Sequence, residues 1–155
     1  MADEIEKKFL LKYIPNPLMI NGTRIIQGYM VNQKQMVVRI RLSGENAFLT
    51  IKGKTVNASR KEYEYSVPQE DARQMLNLFC EKPFVEKIRY HIEHAGFEWV
   101  VDQFSGDNAG LIVAEIELDD IDQTFQKPDW IGKEVTHDPR YYNSNLVKAP
   151  FSTWV

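Results

Sequence analysis

The chain is poor in the residues that build disulfide frameworks and soft-metal centres. Among 155 residues there is one cysteine, Cys80, and there are three histidines, His91, His94 and His137. A lone thiol excludes an internal disulfide and any multi-cysteine zinc site, which fits a reducing compartment. The three histidines do not assemble a zinc set by spacing. Long apolar runs are missing as well, and the acidic start MADEIEKK has neither the basic stretch nor the apolar core of a secretion signal. There is no basic excess: the formal net charge is −3, which argues against a general nucleic-acid surface. The expectation is a cytoplasmic protein with no membrane and no nucleic-acid partner. Low-complexity linkers and internal repeats are also lacking, so residues 1–155 read as one domain.

A hydrophobic content of 43%, with 12% aromatics, is enough for one sizeable core. Strand patterns dominate. They run over 4–11, 23–31, 36–42, 47–54, 61–67, 85–92, 97–104 and 110–118, several of them joined by turn signals such as Ser43-Gly44-Glu45-Asn46 and His94-Ala95-Gly96. Pro68 opens a helix that carries Ala72, Met75, Leu76 and Phe79 at helical spacing. Short helices are expected near 121–125 and 141–147. About eight strands in succession favour an antiparallel meander that bends or closes into a barrel.

Charge then alternates along these strands. Glu4, Glu6 and Lys8 share one face of the first strand; Arg39 and Arg41, then Lys52, then Glu62 and Glu64, then Lys87 and Arg89, then Glu115 and Glu117 share a face of theirs. The opposite face carries Ile5, Phe9, Val38, Ile40, Leu42, Leu49, Ile51, Tyr63, Tyr65, Ile88, Ile92, Ile112, Ile116 and Leu118. Spacing leaves two arrangements open: a charged face turned to bulk water, or a charged interior enclosed by the strands. Acidic and basic strands taken together suggest a pocket shared by divalent cations and a highly charged anion. Asp102 is placed either to orient a basic partner inside a barrel or at the surface. Gly28 in QGY relieves crowding or marks a bulge, with Gln27 and Tyr29 near the site.

The stretch EIEKK resembles the E-x-E-x-K signature of the CYTH superfamily, the triphosphate tunnel metalloenzymes. IIQGYM, VRIR, LTIKGK, KEYEY, EKIRYHI, DQFSGDNAGLIVAEIEL and GKEVTHDPRYYNSNL are similar to the family's later blocks, in the same order and over nearly the whole chain. The resemblance implies a mainly β (α+β) fold, an eight-stranded antiparallel closed barrel with flanking helices. It also implies metal-dependent chemistry on a triphosphate, with Mg²⁺ or Mn²⁺ as cofactor. Under it Lys8, Arg39, Arg41, Lys52, Lys87, Arg89 and Lys133 bind substrate, with Lys54 a further candidate. Arg39, Arg41 and Lys87 are the catalytic candidates, and Glu4, Glu6, Glu62, Glu64, Glu115 and Glu117 face the metal. The general base is either a glutamate near the attacking water or Lys87.

Hydrolysis of the terminal phosphoanhydride of inorganic triphosphate is the leading expectation, because so short a chain offers little from which to build base recognition. Nucleoside and thiamine triphosphates are the other substrates that the resemblance brings in. Its alternatives are a class IV adenylyl cyclase, making cyclic AMP and pyrophosphate from ATP, and a noncatalytic polyphosphate-binding protein. A homodimer is the expected assembly, from the apolar outer face and from the resemblance.

Overall fold

The computed structural model of the chain describes residues 3–57 and 59–154. Its strands are β1 (Asp3–Leu11), β2 (Thr23–Asn32), β3 (Met36–Ser43), β4 (Asn46–Gly53), β5 (Ser59–Ser66), β6 (Val85–His94), β7 (Phe97–Phe104), β8 (Ile112–Glu117) and β9 (Ile131–Glu134); its helices are α1 (Gln69–Phe79) and α2 (Asn143–Lys148). The sheet runs β5-β4-β3-β2-β6-β7-β8-β1, and β1 returns to pair with β5, so eight antiparallel strands close into a barrel and β9 is an addition outside that ring.

The connectivity is not one meander. Strands β2 to β5 form one four-stranded run and β6, β7, β8 and β1 form the other, joined where β2 pairs with β6. The chain must therefore cross from β5 back over the outer face of β4, β3 and β2 before β6 begins, and α1 makes that crossing. Its apolar stripe dictates which face it buries: Ala72 and Leu76 are buried against Ile40, Leu42 and Ala47, with Met75 and Cys80 packed alongside. Gly28 is what lets the helix end approach. A Cβ there would sit 2.8 Å from Cys80 Cβ and 2.9 Å from Leu76 Cδ2, closer than packed atoms allow.

The other half of the barrel's outside is covered without a helix. The expected helix near 121–125 is absent: Asp122 donates its backbone N–H to Asp120 Oδ1 and Gln123 donates its own to the Asp120 carbonyl, which makes a turn. The chain then runs irregularly so that Phe125 and Trp130 lie over Trp99, at ring separations of 5.7 and 6.0 Å, with Phe9 at 5.5 Å on the same indole. Four residues long and interrupted by Gly132, β9 carries too little alternation to be read as a strand from sequence. It takes the β1 edge at Phe9 and Leu11, while β5 takes the same edge only at Asp3, Glu4 and Ile5.

Within the barrel the residues segregate. Tyr29, Val37, Val85, Phe104 and Val113 form an apolar cluster with Tyr141, and with Leu146 and Val147 of α2. That cluster fills one part of the interior, and the charged side chains occupy the rest. The expected helix over 141–147 is thus a single 3₁₀ turn at Pro139–Tyr141 followed by α2. Among the described residues, no helix is long and apolar enough to cross a membrane.

Candidate anion and cation site inside the barrel

Strand alternation sends the two faces where the sequence pattern divides them. Ile40, Trp99, Ala114 and Ile116 pack outside, while the charged set lines an internal cavity of about 430 Å³. Glu4, Glu6, Lys8, Arg39, Arg41, Lys52, Glu62, Glu64, Lys87, Arg89, Glu115 and Glu117 all line it. Lys133 does not: it stands exposed on β9, beside a separate surface hollow formed by residues 133–139. Lys54 is likewise exposed and outside the lining. The lining also holds residues that the charge pattern passed over, among them Arg60, Glu98, Thr136, Tyr142 and Asn143.

Carboxylates and cations are equal in number around this cavity, so what matters is which of them neutralise each other. Lys52 Nζ lies 3.0 and 3.1 Å from the two Glu4 oxygens and 3.3 Å from Glu62 Oε2, and Arg60 Nε is 3.7 Å from Glu4. These contacts span β1, β4 and β5 and tie the short β1–β5 closure from inside. Arg39 donates to Thr50 Oγ1 at 3.2 Å and to Glu64 Oε2 at 3.4 Å, and Thr50 donates to the same carboxylate at 2.8 Å.

A second group centres on Asp102, which accepts both prongs of Arg89 at 2.8 Å and lies 2.9 Å from Lys87 Nζ. Burial alone would push Asp102 up, but Lys87 and Arg89 hold it well below the usual carboxylate range. Lys87 goes down, first through burial and then through Arg89 and Arg41; Arg89 already matches much of the Asp102 charge, so Lys87 recovers only part of its desolvation. Glu115 is likewise raised by burial yet held at about 2, with Lys8 the strongest opposing influence. Lys8 Nζ also donates to the Tyr141 carbonyl at 3.1 Å.

Among the described residues, three charged groups of the lining have no ion-pair partner: Arg41, Glu6 and Glu117. Burial, then Arg39 and Arg89, bring Arg41 down to about 9, and its Nε donates to a neutral amide, Gln27 Oε1, at 3.1 Å. Its neighbour Arg39 has a buried Nε with no hydrogen-bond partner among the described residues. The counterpart is Glu6, whose carboxyl is pushed up to about 8 by burial and by the charges of Glu115 and Glu4. Glu6 stands directly opposite Glu117 in the β1–β8 register, and Glu117 is raised too, by burial and by Glu4 and Glu62.

The acids Glu6, Glu115 and Glu117 are hard oxygen donors, and the crowding that makes Glu6 and Glu117 hold their protons is the kind that a divalent cation relieves. Among the described residues, no three acidic, histidine or cysteine side chains converge tightly enough to hold an ion by themselves.

Comparison with known proteins gives a consistent outcome. The sequence pattern of the family described as CYTH domain matches residues 2–145. The chain is 47% identical over 154 residues to an inorganic triphosphatase of Acetivibrio thermocellus, covering 99% of each chain. It is 34% identical over 150 residues to an inorganic triphosphatase of Nitrosomonas europaea, covering 93% of this chain and 96% of that one. Among solved structures, an inorganic triphosphatase superimposes with a TM-score of 0.66 at 32% identity, covering 95% of both chains.

Proposed function

Since the chain belongs to the CYTH family, we propose that it is an inorganic triphosphatase, hydrolysing the terminal phosphoanhydride to pyrophosphate and phosphate inside the barrel. The observation that carries this reading is a single cavity lined both by a guanidinium without a carboxylate partner, Arg41, and by a carboxyl crowded among other acids, Glu6, whose proton a divalent cation would displace. A binding surface for an ordinary anion needs only the first, whereas a triphosphate with its divalent counter-ion needs both.

In this reading Arg39, Arg41, Lys8, Lys52, Lys87 and Arg89 hold the phosphoryl oxygens, the arginines by two-pronged hydrogen bonds. Glu6, Glu115 and Glu117 hold Mg²⁺ or Mn²⁺, with Glu4, Glu62 and Glu64 supporting them through the cations that they pair with. When bound, the ion supplies Lewis-acid polarisation of a phosphoryl oxygen and a lowered pKa for coordinated water. Water oxygen bonds to the terminal phosphorus as the bridging P–O bond breaks and pyrophosphate departs. Lys87 is the base in this reading: burial and the charges of Arg89 and Arg41 ease the loss of its own proton, and the neutral amine then accepts one from the attacking water, becoming an ammonium as negative charge develops on the phosphoryl group. Arg39 and Arg41 stabilise that developing charge.

We place the enzyme in the cytoplasm, as one domain over residues 1–155. Tyr63 and Tyr65 on β5, which are 47% and 57% exposed, leave apolar surface outside the barrel for a homodimer contact. Sedimentation velocity reads the assembly directly. The activity itself is tested by presenting purified protein with inorganic triphosphate, ATP and thiamine triphosphate, each with Mg²⁺, with Mn²⁺ and with chelator. Phosphate release from inorganic triphosphate, abolished by chelator, is expected. Cyclic AMP from ATP would instead assign cyclase chemistry, and tight binding with no turnover in either metal would leave a noncatalytic binder.

A further inference from the structure

Gln27 is fully buried in the barrel wall, and its amide is fixed from both ends. Its Oε1 accepts from Arg41 Nε at 3.1 Å, while its Nε2 donates to the Tyr29 hydroxyl at 2.8 Å and to Asn143 Oδ1 at 3.3 Å. The same Asn143 oxygen accepts from Lys87 Nζ at 2.8 Å. Two neutral amides therefore run from one cation of the cavity to another. The orientation of the Gln27 amide is over-determined: turned about, it would aim N–H groups at the guanidinium and a carbonyl at Asn143 Oδ1.

The choice of an amide has an electrostatic consequence. Lys8, Arg39, Lys52, Lys87 and Arg89 each have a carboxylate within 4 Å. Among the described residues, Arg41 has none. A carbonyl oxygen directs a guanidinium through one hydrogen bond and leaves its full charge in place; a carboxylate of the same shape would cancel that charge. With Nε committed to Gln27, the end of the guanidinium that carries both Nη atoms is left to meet a ligand.

We propose that Gln27, backed by Asn143, is a positioning residue that aims the Arg41 guanidinium into the cavity while keeping its charge uncompensated, so that a phosphoryl group is the counter-ion Arg41 takes. The inference deepens the triphosphate reading and rests on it. Gln27 touches no reacting atom; it acts through Arg41.

The decisive variant is Gln27→Glu, which keeps the shape and adds one negative charge. KM for inorganic triphosphate is expected to rise by about tenfold or more, with a smaller change in kcat, because the new carboxylate competes with substrate for Arg41. A modest fall in melting temperature is expected beside it, since the carboxylate pairs with Arg41 but sets an oxygen against Asn143 Oδ1, where the amide donated. A folded variant with KM within about twofold of the wild type overturns the proposal, as does a lowered melting temperature with KM unmoved, which is the signature of a purely structural glutamine. Should Gln27→Glu fail to fold, Gln27→Leu, which substitutes an apolar side chain of similar size and removes the acceptor that directs Arg41 Nε, is also expected to raise KM, and an unchanged KM there overturns the proposal equally. Titration calorimetry with inorganic triphosphate gives the same ratio as Kd without turnover. A wild type that binds but does not hydrolyse defeats the hydrolysis reading and leaves this one to be judged on the Kd ratio.

Discussion

Lys87 Nζ and Asp102 Oδ2 lie 2.9 Å apart with both side chains 1% exposed, and the same carboxylate holds Arg89 by two further contacts of 2.8 Å. One acid thus supports two buried cations. Asp102→Asn keeps the shape and removes the charge, so both cations lose their counter-ion together. A loss of about 3 kcal/mol is expected from chemical denaturation, the scale for breaking a buried ion pair from one side. Activity should fall with it, since Lys87 loses one of the two groups that fix its amine.

The same carboxylates set the acid limit of the fold. Glu115 at about 2 and the depressed Asp102 are both held below their unfolded values by neighbouring cations. Their stabilisation is complete above the ordinary carboxylate range and is lost as pH falls through the folded values, because the unfolded chain binds those protons first. Urea unfolding followed from pH 6 down to pH 2 should show that decline, and Asp102→Asn should show a shallower one.

Glu6 runs the opposite way. Raised to about 8 from an ordinary 4.5, it keeps a proton in the folded protein that the unfolded chain gives up, so its contribution is present below about 4.5 and disappears as pH climbs to 8. Metal-free protein should therefore lose stability over that interval, by roughly 2 kcal/mol once the partial solvent access of the site is allowed for. Glu6→Gln should flatten the loss in chelator and also abolish the stabilisation that Mg²⁺ or Mn²⁺ gives at pH 8. A Glu6→Gln protein that keeps wild-type metal stabilisation would remove Glu6 from the cation site.

Much of this was readable in the sequence, and for one reason. Alternation with period two assigns every residue of a strand to a face, so Glu4, Glu6 and Lys8 could be placed with Arg39, Arg41 and the rest before any coordinates. Enclosure was not readable, because an open wet sheet and a closed barrel have the same alternation; the resemblance supplied that step. Arg60 escaped because the fifth strand begins at Ser59, two residues before its clear alternation does. Asn143 lies in the terminal block that the resemblance covers, but its contact with Lys87 is not legible, because it spans 56 residues of sequence and no periodicity announces it. The turn at 120–123 went the other way. Its spacing suits a short helix, but Asp120 offers its own side chain to the backbone and Phe125 is drawn onto Trp99.

The helix on the outside offers a control for all site variants. Leu76 on α1 is 3% exposed and packs on the outer face of β3, away from the cavity. Leu76→Ala should cost about 3 kcal/mol through the cavity that it leaves. Below the shifted melting temperature, kcat/KM should stay within about twofold of the wild type. A large kinetic effect would mean that the α1 packing governs the interior geometry.

Arg39 and Arg41 share a strand face, yet removing them should have opposite effects on stability. Arg39 is matched to Glu64 at 3.4 Å and to Thr50 at 3.2 Å, so Arg39→Met leaves a partly exposed carboxylate alone and should cost about 1 kcal/mol. Arg41 carries no carboxylate partner among the described residues and is repelled by Arg39 and Arg89. Replacing it with methionine removes a buried charge and fills similar volume, so the melting temperature of metal-free protein should hold or rise. Both variants should lose about a hundredfold in kcat/KM for inorganic triphosphate, the consequence of ~3 kcal/mol of lost charge pairing with the phosphoryl group. A stabilised but inactive Arg41→Met identifies a charge kept for the ligand at the expense of the fold. If that variant is destabilised as much as Arg39→Met, the guanidinium has a structural partner and is not reserved for substrate.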